Sequence, residues 1–373
     1  MDEYFSSHYS FTIYGARRTG KTTLILDYAK KSGLEYKYLD CDLYTDQELL
    51  NVRDVEKLKN LIGGAKLLLI DEAQRVQNIG LNMKIIHDHI PEVKVIATGS
   101  SALDLSSRIK ESMTGRDFDF YLFPFSLQEL AQKKNSIELS YSINDLLIYG
   151  TYPNVIELTS YDHKKEFLQT LTTNYLYKDL LELDLIKKTS LLSDLLRALA
   201  TCIGSEINSS SLANKLNTTK ETVERYIDLL EQCFIIKRIR PYNRKVLNEV
   251  KYPYKVYFWD LGVRNALLGD FKSLSLRSDL ELGGLWENFI FVERMKKARN
   301  AREFKNFYFW RTNEGRAKEY DLIEEMDGVL NVFEIKWGQA GVNKVKKYPV
   351  FFETYPGSEL HVISKDNFVD FLV

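Results

Sequence analysis

Residues 15–22 have the types and the spacing of a phosphate-binding loop. They read Gly-Ala-Arg-Arg-Thr-Gly-Lys-Thr, which matches the pattern G-x-x-x-x-G-K-[ST], and they lie between an apolar run and a segment with helical spacing. Glycines let the backbone curl so that N–H groups point at the β-phosphate, and the following helix presents its positive end to the same charge. We expect Lys21 to bridge the β- and γ-phosphates and Thr22 to ligate Mg²⁺. A chance glycine turn seldom fits the whole pattern in this context, so the sequence predicts nucleotide binding.

An acidic pair that follows an apolar run supplies a second part of such a site. Leu67-Leu68-Leu69-Ile70 is followed by Asp71 and Glu72. A buried strand that ends this way places Asp71 at the carboxyl edge of a sheet, where it can hold Mg²⁺ while Glu72 polarises the attacking water. The alternative is a solvated acidic pair at a strand end. The residues that we assign to nucleotide and Mg²⁺ contact are Gly15, Ala16, Arg17, Arg18, Thr19, Gly20, Lys21, Thr22, Thr23 and Asp71.

The nucleotide is predicted to be ATP, with ADP as the product. A further strand-like run, Tyr36 to Cys41, separates the loop from the acidic pair in sequence, as in NTPases that carry a catalytic glutamate beside the acid. The sequence has no Asn/Thr-Lys-x-Asp guanine signature. We therefore predict an ATPase with Lys21 and Glu72 among its catalytic residues.

Two further polar residues are candidates for contact with the γ-phosphate. Ser100 follows the next apolar strand and can touch this phosphate or orient the water. Arg116 can act as an arginine finger, in trans if the chain forms a homo-oligomer. The alternative for Arg116 is a surface arginine that pairs with Asp117 or Asp119.

The elements that must position these residues alternate between strands and helices. Nearly unbroken apolar runs are typical of parallel strands buried on both faces, so the pattern predicts an α/β domain that closes near Leu130. The polar segment 132–144 is expected to be a linker or an exposed helix. The predicted strands are Phe11–Tyr14, Tyr36–Cys41, Leu67–Ile70 and Val93–Thr98, and the helical segments are Thr22–Lys31 and Asp46–Ile62.

Composition limits the partners that the whole chain can bind. Among its 373 residues, 51 Lys and Arg stand against 52 Asp and Glu, so no overall cationic field favours nucleic acid or membrane. The three cysteines show no CxxC or other metal-binding spacing. The start is acidic where a signal peptide would be basic, and no apolar run approaches the roughly 20 residues that span a bilayer. A cytoplasmic protein without a membrane segment is expected.

The middle of the chain is predicted to be helical and to include a winged helix. Helical periodicity covers residues 145–149, 164–184 and 190–203, and a helix–turn–helix–strand order follows over residues 209–239. Asn217 or Thr218 is expected to cap the second of these helices, with Glu221 completing a capping box after Thr218.

Five cations follow that second helix, where a wing would pass a phosphate backbone. They are Lys237, Arg238, Arg240, Arg244 and Lys245. Such a cluster predicts DNA contact. The alternative is a domain spacer, because the candidate recognition helix carries Glu221, Glu224 and Asp228.

The C-terminal part combines a helix and strands with an acidic constellation. A helix over 282–297 precedes strands at 307–310, 320–324 and 330–335. Strand alternation places Glu334 and Lys336 on one face, where Asp321 and the helix residue Glu287 can meet them. These carboxylates would hold Mg²⁺, with Lys336 catalytic, for phosphodiester hydrolysis, and the pattern is similar to the PD-(D/E)XK nuclease core. The alternative is a decayed nuclease whose acids form structural salt bridges.

Taken together, these motifs resemble a family of bacterial and archaeal AAA+-type ATPases that carry a C-terminal domain of unknown function. The resemblance rests on the loop, Asp71-Glu72-Ala73-Gln74, the 98–101 strand end, Gly115-Arg116 and the run 122–129. It extends to Gly150-Thr151-Tyr152-Pro153 and to residues 257–262, Tyr-Phe-Trp-Asp-Leu-Gly. It implies a P-loop NTPase parallel sheet, a winged-helix middle and a restriction-endonuclease-like α/β end.

The expected domains are 1–135, 136–278 and 279–373. The function that these expectations favour is an ATPase whose nucleotide state is transmitted to a nuclease-like domain acting on DNA. The alternative is a signalling or scaffold ATPase that binds a protein partner and has an inactive nuclease-like fold.

Overall fold

The chain divides into two compact units. The computed structural model describes residues 9–100, 109, 112–175, 189–243, 253–312 and 318–373. The first unit comprises Met1–Phe123 with Gln232–Phe234, and the second comprises Pro124–Glu231 with Ile235–Val373. The predicted middle and C-terminal domains thus fall mainly in the second unit.

A five-stranded sheet forms the centre of the first unit. Its order is β2-β3-β4-β1-β5 and every pairing is parallel, so the predicted parallel α/β sheet is confirmed. Strand β5 was not predicted, because its Asp-Phe-Asp-Phe-Tyr sequence alternates and lacks the unbroken apolar run of the others. The strands are β1 (Ser10–Tyr14), β2 (Tyr36–Asp40), β3 (Leu67–Asp71), β4 (Lys94–Gly99) and β5 (Asp117–Tyr121).

The described residues of this unit also form helices. They are α1 (Lys21–Ser32), α2 (Tyr44–Leu50), α3 (Val55–Ile62) and α4 (Ile79–His89). The single helix predicted over 46–62 is wrong: it is broken after Leu50, and Asp54 caps α3 by accepting a hydrogen bond from the Lys57 N–H. Ile25 and Ala29, four residues apart on α1, are buried in the core that β1, β3 and β4 form.

The second unit begins with helices and continues into a small antiparallel sheet. Its helices up to the sheet are α5 (Leu127–Leu130), α6 (Ser136–Tyr149), α7 (Pro153–Glu157), α8 (Tyr161–Thr170), α9 (Thr189–Thr201), α10 (Ser209–Lys215) and α11 (Lys220–Gln232). Strands β6 (Glu206–Ile207), β7 (Ile236–Ile239) and β8 (Tyr254–Phe258) pair in the order β6-β8-β7.

The segment 132–144, expected to be a linker or an exposed helix, contains the start of α6, whose first residues are mostly exposed. Two other predictions about this region need correction. The predicted helix 164–184 begins at Tyr161, and its α-helical part ends at Thr170, where a π-helical turn over Leu171–Tyr175 follows; residues 176–188 lie outside the described residues. The predicted capping box is wrong, because Thr219 caps α11 through the Thr222 N–H and Asn217 adopts a left-handed conformation with φ 49°.

A four-stranded mixed sheet ends the chain. Strands β9 (Asn306–Arg311), β10 (Glu319–Met326) and β11 (Val329–Ile335) are antiparallel, and β12 (Glu359–Ile363) runs parallel to β11. The predicted strands and the helix before them are all present, whereas β12 was not predicted. The remaining helices are α12 (Leu261–Leu268), α13 (Asp279–Asn300), α14 (Gln339–Val342), α15 (Pro349–Thr354) and α16 (Phe368–Leu372).

Candidate functional site

The phosphate loop connects β1 to α1 and folds around its own lysine. A Cβ on Gly15 would lie 2.1 Å from the Leu122 carbonyl oxygen, so only glycine fits there. Gly20, with φ 98°, adopts a left-handed conformation that costs glycine little. The buried Lys21 ammonium donates hydrogen bonds to the carbonyl oxygens of Gly15 at 2.9 Å and Ala16 at 3.1 Å. A positive charge is therefore fixed inside the loop.

Asp71 ends β3 and accepts hydrogen bonds from three hydroxyl groups. Its Oδ2 accepts from Thr22 Oγ1 at 2.6 Å and from Tyr38 OH at 3.1 Å, and its Oδ1 accepts from Thr98 Oγ1. Sequence reasoning missed Tyr38, although Asp40 pairs with Asp71 and strand alternation places Tyr38 and Asp40 on one face of β2. Burial, and then the neighbouring Asp71, raise the pKa of Tyr38 well above its usual value. The structure thus brings Thr22 and Asp71, the two candidate Mg²⁺ ligands, into direct contact.

Glu72 and Ser100 are joined through Gln74. The Gln74 Nε2 group donates to Glu72 Oε2 at 2.5 Å and to Ser100 Oγ at 3.1 Å. Glu72 has a left-handed backbone with φ 49°, and its N–H donates to Thr98 Oγ1 at 3.2 Å. The sequence marked Gln74 only as part of the Asp71–Gln74 run and gave it no role.

Arg116 lies at the opposite edge of the sheet from the phosphate loop. It directly precedes β5, which is parallel to β1 and pairs Asp117 with Ser10, whereas the loop follows the far end of β1. Five residues of strand at about 3.3 Å each separate these edges by roughly 15 Å. Arg116 Nε bonds to Asp88 at 3.0 Å, not to the predicted Asp117 or Asp119. Its side chain therefore cannot reach the phosphate loop of the same chain, and a role in trans stays a prediction.

Two of the five cations predicted to contact DNA, Lys237 and Arg238, form ion pairs. Arg238 on β7 contacts Glu224 at 2.7 Å, Glu231 at 3.0 Å and Asp228, three acids on one face of α11. Lys237 pairs with Glu231 at 3.2 Å. These acids neutralise the Arg238 guanidinium, and the assignment of Arg238 as a phosphate contact stays a prediction. Arg240 is half-buried, its backbone oxygen accepts from the Phe309 N–H, and Arg244 and Lys245 lie outside the described residues.

Three of the C-terminal candidate residues meet on neighbouring strands. Lys336 Nζ lies 2.9 Å from Asp321 Oδ2 and 2.5 Å from Glu334 Oε2. Asp321 on β10 also accepts from the Ile335 N–H at 2.7 Å. Burial, and then the nearby Asp321, raise the pKa of Glu334 to about 8, so at neutral pH this pair shares a proton and one carboxylate is neutral.

Glu287 on α13 is held by residues of β8. Its Oε1 accepts from Lys255 Nζ at 2.9 Å and from Tyr257 OH at 2.6 Å, and Lys255 also lies 2.5 Å from Glu319. The Lys255 side chain is only 3 % exposed. Sequence reasoning gave neither Lys255 nor Tyr257 a role. Tyr257 appeared only as the first residue of the run 257–262, and Lys255, 32 positions before Glu287, belongs to no motif.

The predicted Mg²⁺ site of three carboxylates does not fit this geometry. Within the described ranges, no three His, Cys, Asp or Glu side chains are grouped so that they could hold one metal ion. Glu287 faces Lys255, while Asp321 and Glu334 share Lys336, so ammonium groups already compensate each carboxylate. A cavity of about 600 Å³ borders this acidic cluster and is lined in part by Glu287, Asp321, Lys336, Trp337 and Arg264.

Comparison with protein families assigns the first part of the chain to a known domain type. Residues 7–131 match the family model described as an AAA domain, so the coarser part of the resemblance, an AAA-type ATPase domain, is confirmed. Residues 140–274 match a domain of unknown function (DUF8612), and residues 282–369 match another (DUF4143).

Curated relatives extend over most of the chain at low identity. An uncharacterized protein of Mycobacterium tuberculosis is 24 % identical over 323 residues, which cover 86 % of this chain and 69 % of the relative. An uncharacterized protein of Haemophilus influenzae is 24 % identical over 304 residues, which cover 76 % of this chain and 74 % of the relative.

A solved structure of the Thermotoga maritima RuvB Holliday junction branch migration motor is also similar. The matched region covers 65 % of this chain and 87 % of the RuvB chain, with 17 % sequence identity and a TM-score of 0.32. A score this low does not establish a common fold.

Across the described segments, each helix is too short or too polar to cross a bilayer.

Removing the Lys255 ammonium is expected to destabilise the second unit. Lys255→Met leaves the Glu287 carboxylate buried without its cation, and such a loss costs about 3–5 kcal/mol of unfolding free energy. The matched double variant Lys255→Met/Glu287→Gln removes both charges and should recover most of that loss. Urea unfolding followed by tryptophan fluorescence measures this, because all four tryptophans lie in the second unit. Equal destabilisation in both variants would contradict the pairing.

The raised pKa of Glu334 makes stability depend on pH. Between pH 5 and 8 Glu334 is protonated in the folded protein and ionised in the unfolded chain, so the folded state binds more protons. The unfolding free energy of the second unit should therefore fall as the pH rises through this window. Glu334→Gln should flatten that dependence, as measured by urea unfolding at several pH values. Parallel pH curves for the two proteins would show that Glu334 does not titrate in this range.

Proposed function

We propose that the first unit binds ATP with Mg²⁺ and hydrolyses it to ADP. The observation that carries this proposal is the 2.6 Å hydrogen bond between Thr22 and Asp71, which joins the phosphate loop to the end of β3. These two residues are 49 positions apart and were selected from separate sequence motifs. The AAA-domain match over residues 7–131 supports the same proposal.

The residues at this site fit a nucleotide with Mg²⁺. Mg²⁺ prefers oxygen ligands, and the Thr22 hydroxyl and the Asp71 carboxylate are oxygen donors already in contact. The Lys21 ammonium, which donates to two loop carbonyl oxygens at 2.9 and 3.1 Å, would exchange these contacts for the anionic phosphates of a bound nucleotide. Bound Mg²⁺ would supply charge neutralisation of the phosphates, and Thr22 and Asp71 would hold it.

Glu72 and Ser100 complete the proposed site. Glu72 lies one residue beyond Asp71 and would take up the proton of the attacking water. Ser100, directly after β4, would contact the γ-phosphate. Strand β4 lies between β1 and β3, so it places Ser100 between the phosphate loop and the acidic pair.

For the second unit we propose a winged helix followed by a nuclease-like domain. The order α9-β6-α10-α11-β7-β8 supports the winged helix, since two helices precede a pair of antiparallel strands. The order α13-β9-β10-β11-α14-α15-β12, a helix and three antiparallel strands followed by two short helices and a parallel strand, supports a nuclease-like core.

Of the two wider functions, the ion pairs favour an ATPase that binds a protein partner. Arg238 is neutralised by the acids of α11, Glu287 is already paired with Lys255, and Asp321 and Glu334 are already paired with Lys336. DNA cleavage remains the second candidate, because Asp321, Glu334 and Lys336 converge as a nuclease site requires.

Substitutions at Lys21 and Glu72 should separate nucleotide binding from turnover. Lys21→Ala removes a phosphate ligand and should abolish detectable ATP binding in isothermal titration. Glu72→Gln should retain ATP but lose roughly 10²–10⁴-fold in phosphate release, because an amide is a poor base. Lys30→Ala, which changes an exposed lysine near the end of the same helix, is the matched control. Hydrolysis by Glu72→Gln at the parent rate would refute the role of Glu72.

A cleavage assay decides between the two wider functions. The full chain is incubated with plasmid and linear DNA, with Mg²⁺ or Mn²⁺ and with or without ATP. We expect no cleavage above that of Glu334→Ala, because lysines compensate the carboxylates that would bind the metal. Metal-dependent cleavage by the parent that Glu334→Ala abolishes would establish the nuclease function instead.

A further inference from the structure

Gln74 lies between the two residues proposed to act on the attacking water and the γ-phosphate. We infer that Gln74 is a positioning residue for ATP hydrolysis: it orients the Glu72 carboxylate and links it to Ser100. This inference rests on the proposed ATPase function. It is carried by the two hydrogen bonds of one amide group, 2.5 Å to Glu72 and 3.1 Å to Ser100.

The chemistry of Glu72 determines how the Gln74 amide is oriented. An ionised carboxylate only accepts hydrogen bonds, so the nitrogen of the amide must face it and the oxygen must point away. The same nitrogen has two hydrogens, and the second reaches Ser100 Oγ. An amide at this position therefore matches both neighbours, whereas an ionised carboxylate of the same shape could accept from the Ser100 hydroxyl but would repel Glu72.

The backbone of Glu72 is fixed by its own contacts, and the position of its side chain depends on Gln74. The left-handed φ of 49° turns the chain directly after β3, and a 3₁₀ turn over Ala73–Arg75 follows. That turn brings Gln74 back towards Glu72, two residues earlier. The Glu72 N–H is held by Thr98, so the main chain is anchored to β4 and the carboxylate to Gln74.

The oxygen of the Gln74 amide gives a second, independent indication that a ligand binds here. Gln74 Oε1 is buried and has no hydrogen-bond partner among the residues that the structure describes. Buried polar atoms are nearly always satisfied, so an orphan acceptor beside a candidate base marks a place for a donor. A water molecule that donates a hydrogen bond to Gln74 Oε1 would satisfy it.

Substitutions of matched size test the role of Gln74. Gln74→Met keeps the volume but donates no hydrogen bond, and Gln74→Glu keeps the shape but places a second carboxylate against Glu72. We expect kcat for phosphate release to fall about 10-fold or more in Gln74→Met and further in Gln74→Glu. The affinity for a non-hydrolysable ATP analogue with Mg²⁺, measured by isothermal titration, should stay within about 2-fold of the parent value, and so should KM.

A double-mutant cycle tests the link to Ser100. Ser100→Ala and Gln74→Met are measured singly and together; if Gln74 couples the two sites, their effects on kcat are not additive. Parent turnover in Gln74→Met would overturn the inference, and so would a parallel loss of kcat and analogue affinity, which would indicate a structural role. Additive effects would overturn the link to Ser100. A parent chain that binds ATP but does not hydrolyse it would instead refute the proposed function, and this is measured first.

Discussion

The Asp71 carboxylate is the point at which the parts of the nucleotide site are joined. It is buried at the end of β3 and accepts from a hydroxyl of the phosphate loop, one of β2 and one of β4. A buried carboxylate is costly unless its oxygens are satisfied, so this one requires the three elements to keep their register. The insertion of β4 between β1 and β3 makes the arrangement possible, since it brings Thr98 and Ser100 to the same edge as Asp71.

In the second unit, lysine ammonium groups rather than hydroxyl groups compensate the carboxylates. Lys255 compensates Glu287 and Glu319, and Lys336 compensates Asp321 and Glu334. Buried ion pairs of this kind add little net stability, but the loss of one partner is strongly destabilising. Lys255 lies on β8 and Glu287 on α13, so this pair fixes the small antiparallel sheet against the helix that leads into the C-terminal strands.

Features that depend on local sequence could be predicted, and those that depend on distant partners could not. The strands around Leu67–Ile70 follow from unbroken apolar runs, and the loop at Gly15–Thr22 follows from its own spacing. The ion pairs of Arg238 could not be predicted, because its acidic partners are spaced along α11 and become visible only when β7 packs beside that helix. Lys255 and Tyr38 carry no motif at all. The distance of Arg116 from the phosphate loop of its own chain could not be predicted either, because β5 was not recognised as a strand parallel to β1.

The groups that surround each acidic cluster determine whether that cluster can bind a metal ion. Around Asp71 the donors are neutral hydroxyls, and Thr22 can turn from hydrogen-bond donor to Mg²⁺ ligand without leaving a charge uncompensated. Around Glu287 the partner is a buried ammonium, and a divalent ion placed beside it would meet like charge at close range. Clusters of the same residue types therefore have different chemistry, and the difference lies in whether hydroxyls or lysines surround the carboxylates.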